Sequence, residues 1–314
     1  MKVVQKQQRK TRLMKGETKS NIEHIILILP ATLLIAIFCY IPMFGIILAF
    51  KRYNPVAGIF ASPWVGFDNF KFFFKSSDFV RIMRNTIGYS LWFQILTTIT
   101  NMGFAIMLYN VTSRKALKYF QTTAILPSFM SIVLISYIVF AFLNPTDGLV
   151  NRLIHALGGS DIDWYNAPGY WPVILSVVKV WNSVGMGSLY YYSAMLSIDE
   201  SLIEAAKIDG ANKWQEIRYI IIPEMMSLVC LFLILGISHV MNGDFGLHYQ
   251  ITRNVGTLYP TTDILQTYVF RALQDGSSMG RTTAVGLFGS VIGTILLIVT
   301  NTVVKKIDPD KSLF

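Results

Sequence analysis

Charge and cysteine are both scarce in this chain, and each scarcity removes a class of protein. Only 14% of the 314 residues are Asp, Glu, Lys or Arg, while 53% are hydrophobic. Soluble domains carry about 25% charged residues, so the composition points to lipid as the solvent. The two cysteines, Cys39 and Cys230, both fall in apolar runs. That argues against a disulfide framework or a metal site, and they read as small packing residues. No GxxxxGK[ST] loop is present, so the chain lacks the usual means of binding and splitting ATP by itself. There is no HExxH, and the four histidines (His24, His155, His239, His248) do not pair at helical spacing for a metal. Acidic residues are fewer than basic ones, giving a net charge of +9. The basic residues cluster beside apolar runs, which sets the orientation of a membrane protein and does not suggest a nucleic-acid partner.

What is present is a set of long apolar runs. A spanning helix needs about 20 mostly apolar residues. Six stretches qualify: 25–50, 86–108, 122–143, 171–196, 219–241 and 282–304. The first follows a basic tail (1–24) but is too long for a signal h-region and lacks a clear cleavage site, so it reads as an anchor and first span. The N-terminal tail holds Lys2, Lys6, Arg9, Lys10, Arg12, Lys15 and Lys19. The connection after span two has Arg114, Lys115 and Lys118; the one after span four has Lys207, Lys213 and Arg218; the tail 305–314 has Lys305, Lys306 and Lys311. These four segments fall on one side and hold sixteen basic residues against ten in the three opposite connections, so both termini are expected in the cytoplasm. The expected class is an all-α membrane protein with six transmembrane helices.

The opposite connections differ in character. Residues 51–85 are rich in Phe, Tyr and Trp, which suits either an interfacial helix at the headgroups or a surface for an external partner. Residues 144–171 are turn-rich with room for one short helix, and 242–281 is long, polar and without a span-length apolar run. A proton- or sodium-driven carrier often shows carboxylates inside its spans, for which Glu224 is the main candidate, and Lys179 is the other intramembrane charge. Glu224 lies close to the cytoplasmic edge, and Lys179 is equally compatible with a polar packing interior.

The segment "SIDESLIEAAKIDGANKWQEIRYIIIP" (197–223) is charged, ordered in pattern and flanked by spans. Asp199, Glu200 and Ser201 favour a helix start, and Leu202, Ala205, Ala206 and Ile208 give that helix an apolar, small-residue side. Asp209-Gly210 marks a turn. A second helix then enters the membrane, and Pro223 is expected to kink or reset it. Physical reasoning alone leaves a solvated hairpin and a docking surface equally open.

Glu204-Ala205-Ala206, Gly210, Ile220, Ile222 and Pro223 resemble the signature of permease subunits of bacterial ABC importers, with Ile222 where leucine is usual. "EAAKIDGANKW" resembles the carbohydrate-importing branch. "WVGFDNFKFFF" (64–74), "RNTIGYS" (84–90), "DILQTYVFR" and "TAVGLFGSVI" extend the likeness over nearly the whole chain, towards importers of oligosaccharides and polysaccharide fragments. The resemblance implies the type I ABC importer permease fold in a bacterial cell membrane. It also implies a complex with a second permease (a different chain in many such systems), two ATPase subunits and an extracytoplasmic solute-binding protein. No cofactor and no catalytic residue is implied on this chain, because ATP and Mg would bind the partner ATPase. Residues 197–218 would be a coupling helix segment seated in a cleft of the ATPase, with roles for Glu204, Ala205, Ala206, Asp209 and Gly210.

The same resemblance places a sugar path near mid-membrane on spans four and five. Candidate lining residues are Trp181, Asn182, Ser183 and Tyr190, and then Ser238, His239, Asn242, Asp244 and Phe245. Each has a structural alternative, since Trp and Tyr populate interface belts and Asn or Ser bridges helices. Gly185 and Gly187 fit close helix packing instead. Two other readings stay open: the same machinery carrying a non-sugar solute such as an amino-sugar conjugate or phosphodiester, and a membrane scaffold or sensor subunit that moves nothing.

Overall fold

The computed structural model describes residues 24–276 and 278–308; the basic tail residues from Lys2 to Lys19, and Lys311, lie outside them. Regular structure among the described residues is helical, apart from one isolated antiparallel bridge between Lys51 and Trp64. In chain order, α1 is His24–Phe50 and α2 is Phe79–Tyr109. α3 (Arg114–Phe129) and α4 (Ile132–Leu143) form a bent pair, and α5 is Pro168–Leu196. The short α6 is Glu200–Ile208, followed by α7 (Lys213–Ser238), α8 (Leu265–Gln274) and α9 (Met279–Lys306). Five helices (α1, α2, α5, α7, α9) are long and apolar enough to cross a membrane, and the α3–α4 pair makes six if it counts as one span.

One expectation is corrected here. The run 122–143 is not one straight span: α3 and α4 meet at 99°. Pro127 has no N–H to give the ladder, and Ser131 caps a new helix by accepting the Leu134 N–H at 3.2 Å. α2 begins at Phe79, ahead of the apolar run at 86, and carries Arg81 and Arg84. A helix does not stop where the hydrocarbon does, and charged residues prolong it into water.

Pro223 leaves α7 as a single span. Ile217–Ile221 winds as a π turn in which the Ile222 N–H reaches back to the Ile217 carbonyl, and Pro223, with no N–H, follows directly. The same device recurs in α1: the Ile41 N–H bonds to the Ala36 carbonyl just before Pro42.

Between lipid and helix there is little hydrophobic driving force, so helix association rests on close packing and hydrogen bonds. α2 lies along α5, α9 along the second half of α1, and α7 against α9. Gly185 of α5 sits so close to α3 that a Cβ there would collide with the Ala124 carbonyl. Gly187 likewise abuts the Asn101 side chain. The packing role expected of both glycines is what the structure shows. The largest core cluster joins Tyr89 and Phe93 of α2, Ile135 and Val139 of α4, and Trp171 and Leu175 of α5 to Leu247 and Ile251 of the segment after α7.

Connections on the side away from α6 are built of short helical pieces and turns, α8 among them. Short helices occur at Gly58–Ala61, Asp68–Phe74 and Leu149–Ala156, the last fulfilling the expectation for 144–171.

Candidate functional site

The α6 segment is built locally as the sequence suggests. Asp199 is its N-cap, accepting the Ser201 N–H at 2.9 Å. That hydrogen bond holds the Asp199 carboxyl below its ordinary range. The helix ends at Asp209, and Gly210 takes φ +80°, a conformation that costs other residues about 1–2 kcal/mol. Asn212 then opens α7 with a reciprocal capping box to Gln215.

Only Ile203 of α6 is buried against the rest of the chain. Leu202 and Ile208 stand 46% and 85% exposed, beside an exposed Glu204 and Ala205. The apolar side read from Leu202, Ala205, Ala206 and Ile208 is therefore largely bare. No ion pair involves Glu204 among the described residues. A hollow of about 270 Å³ opens where α6 turns into α7, lined by Ala206, Asp209, Gly210, Gln215 and Glu216 among others.

The second candidate region lies within the spans. A hollow of about 300 Å³ opens between three helices. α2 contributes Gln94, Thr97, Thr98 and Asn101; α5 contributes Gly187, Tyr190 and Tyr191; α7 contributes Phe232, Leu235 and Gly236, with His239 at its end. Tyr190 meets Phe232 edge-on at 5.6 Å. The Asn101 Oδ1 is buried without a hydrogen-bond partner beside this space. Amide, hydroxyl and aromatic groups in one cleft can bind a sugar by hydrogen bonds and by stacking on its C–H faces.

The nine path residues named from sequence do not converge on one place. Tyr190 and His239 line the hollow just described. Asn242 and Phe245 line another, of about 400 Å³, against α8 and α9, where Phe245 stacks on Tyr249 at 5.1 Å. Asn242 also meets His239 at 3.1 Å, so the two hollows adjoin. Asn182 acts as a tie: its Nδ2 donates to the Pro127 carbonyl at 2.8 Å, at the α3–α4 bend. Ser183 and Ser238 donate within their own helices, to Lys179 and Leu235. Asp244 pairs with Lys179 at 2.8 Å. Trp181 is 41% exposed and lines neither hollow.

Sequence reasoning passed over the α2 wall. Gln94, Thr97, Thr98 and Asn101 recur at helical spacing inside an apolar run, a readable signal of a polar face turned from lipid.

Comparison with known proteins places this architecture. Residues 102–312 match the family described as binding-protein-dependent transport system inner membrane component. Protein LplB of Bacillus subtilis (strain 168) is 32% identical, over 91% of this chain and 89% of its own length. The polygalacturonan/rhamnogalacturonan transport system permease protein YteP of the same organism is 31% identical, over 90% of this chain and 87% of its own. A crystal structure of a bacterial ABC transporter involved in the import of the acidic polysaccharide alginate contains a chain that superposes with TM-score 0.85 at 29% identity, covering 95% of this chain and 99% of that one. The helical spans, the exposed α6 and the matched residues lead to one statement: the chain belongs to the family of binding-protein-dependent transport system inner membrane components.

Proposed function

We propose that this chain is a permease subunit of an ATP-driven importer, forming an oligosaccharide path with a second permease. α6 and both termini face the cytoplasm, a placement supported by the excess of basic residues on that side. An extracytoplasmic solute-binding protein delivers the sugar to the opposite face. Oligosaccharide as the cargo is supported by the polysaccharide systems in which the two named transport relatives work. The cargo passes along the polar cleft between α2, α5 and α7.

The observation that carries this reading is the bare face of α6. An apolar, small-residue surface outside the membrane, with an unpaired Glu204 on it, is complementary to a partner's cleft offering a basic residue. ATP and Mg belong to that partner, two copies of which serve the complex. Ala205 and Ala206 let a partner backbone approach closely, Glu204 supplies a charge-assisted hydrogen bond, and Asp209-Gly210 sets the angle at which α6 joins α7. Closure of the paired ATPases moves α6, and through that turn the wall of the cleft. ATP thus shifts the balance between inward- and outward-open states, which the sugar alone could shift only by its differential affinity.

The test is gentle detergent purification of the tagged chain expressed from its native locus. A second permease and an ATPase should co-purify, and Glu204→Arg should lose the ATPase while keeping the permease. A chain that purifies alone, indifferent to the substitution, sinks the reading.

A further inference from the structure

Lys179 lies eight residues into the α-helical part of α5, about 12 Å along the axis from Trp171. Among the described spans no other lysine or arginine sits so far from a helix end. Lys179, Ser183, Gly187 and Tyr190 follow one another at spacings of four, four and three, so they share a face of α5. Gly187 and Tyr190 line the cleft, and Lys179 therefore stands two turns beyond it, on the side away from α6. Asp244 comes from the segment that follows α7 past His239, the cleft residue at the same end. Its Oδ2 takes the Lys179 Nζ at 2.8 Å and its Oδ1 the Leu247 N–H at 3.1 Å. The pair joins α5 to the segment after α7, two helical turns along α5 from the cleft lining. Both side chains keep about a third of their surface open, 29% for Lys179 and 33% for Asp244. An ammonium at that depth needs a counter-ion throughout any opening, because leaving it unpaired is costly.

We propose that Lys179–Asp244 is an exchangeable latch at the outer mouth, and that a carboxylate of an acidic oligosaccharide takes the place of Asp244 on Lys179 as the sugar enters. This rests on the permease reading above and narrows its cargo to uronate-containing chains. Lys179 is then a specificity-determining residue, and Asp244 holds its place between passages. The two partners consequently have unequal duties: the sugar needs Lys179 itself, whereas Asp244 must leave it.

The experiment uses the intact complex in nanodiscs, with tetragalacturonic acid and a neutral tetrasaccharide as probes and co-purification of all subunits as the folding control. Lys179→Gln should lower import of the acidic probe about tenfold or more, the scale of one lost charge-assisted hydrogen bond. Asp244→Asn removes the counter-ion that holds Lys179 between passages, so it should raise ATP hydrolysis in the absence of binding protein and should lower import of the acidic probe less than Lys179→Gln does. Equal losses from the two variants would mean a merely structural pair and overturn the proposal, as would an unchanged Lys179→Gln. A wild-type complex that carries the neutral probe and refuses the acidic one also overturns it, leaving the permease reading intact. A wild-type complex that carries neither probe also overturns the proposal, whereas a chain that purifies without a second permease and an ATPase overturns the permease reading itself. Where a single variant fails to assemble, Lys179→Arg replaces it: the retained cation should keep acidic import, and its loss would count against the latch.

Discussion

Arg81, in the first turn of α2, meets Asp263 across 182 residues of chain, Nη2 to Oδ2 at 3.2 Å. Asp263 is fully buried and receives a second guanidinium, Arg271 at 2.6 Å, together with the Thr267 hydroxyl at 2.8 Å. Its main-chain carbonyl accepts the Asn85 amide at 3.1 Å. One carboxylate thereby fastens the long segment after α7 to the head of α2, where "RNTIGYS" begins.

Breaking that knot should cost stability before it costs function. Asp263→Asn leaves two arginines short of their shared counter-charge, and removing one partner of a buried pair costs about 3–5 kcal/mol. Arg81→Gln should cost less, since Arg271 stays and the Arg81 side chain is 31% exposed and also paired with Asp78. The thermal midpoint of the purified complex in detergent orders the two; equal midpoints would contradict the assignment.

The contact between α5 and α3 makes a sharper prediction. Gly185→Ala drives a methyl into the Ala124 backbone, which has no flexible end to give way, and overpacking of this kind costs about 1–3 kcal/mol. Gly103→Ala in α2 meets nothing within 4 Å and should be neutral or slightly stabilising. Yield of folded complex by size-exclusion chromatography separates them.

In the cleft, Asn101→Ala should lower sugar uptake about two- to tenfold, one neutral hydrogen bond's worth, with subunit assembly unchanged. Uptake equal to wild type would move the path away from the α2 wall.

The cap of α6 gives a dependence on pH. The folded-state pKa of Asp199 is lowered by its bond to the Ser201 N–H, so its contribution is present above the ordinary carboxylate range and is lost as pH falls through the folded value. Asp199→Asn keeps an acceptor for the same N–H without the titration. ATPase binding to the permease should weaken with acid in the wild type more than in Asp199→Asn, as read by surface plasmon resonance at stepped pH.

Much of this was legible from residues alone. Apolar runs located the five long helices, and Asp199, Glu200 and Ser201 followed by Asp209-Gly210 marked α6 and its turn almost residue by residue, because caps and turns are local chemistry. The bend at Pro127–Ser131 was written in the sequence as a proline and a serine cap, yet a hydropathy window averages over both. The α2 wall was legible too, as Gln94, Thr97, Thr98 and Asn101, but attention went to the spans flanking α6. Asp263 could not have been found: "TTDILQT" has no local peculiarity, and its partners are chosen by tertiary packing. Lys179 and Asp244 were each singled out from sequence, but their pairing, across 65 residues, is likewise chosen by tertiary packing.

The π turn at Ile217–Ile221 fixes the phase between the two halves of α7. A π turn carries one residue more than an α turn, so everything after it is rotated by roughly 100° relative to an uninterrupted helix. Phe232, Leu235, Gly236 and His239 look into the cleft only because that extra residue has been spent. Deleting a single residue from Ile217–Ile221 would turn those four side chains a quarter of the way round the barrel of the helix, while leaving α6 and its partner surface untouched. Lever and lining are thus indexed to each other by one turn of backbone, and the chain could lose its cargo there without losing its engine.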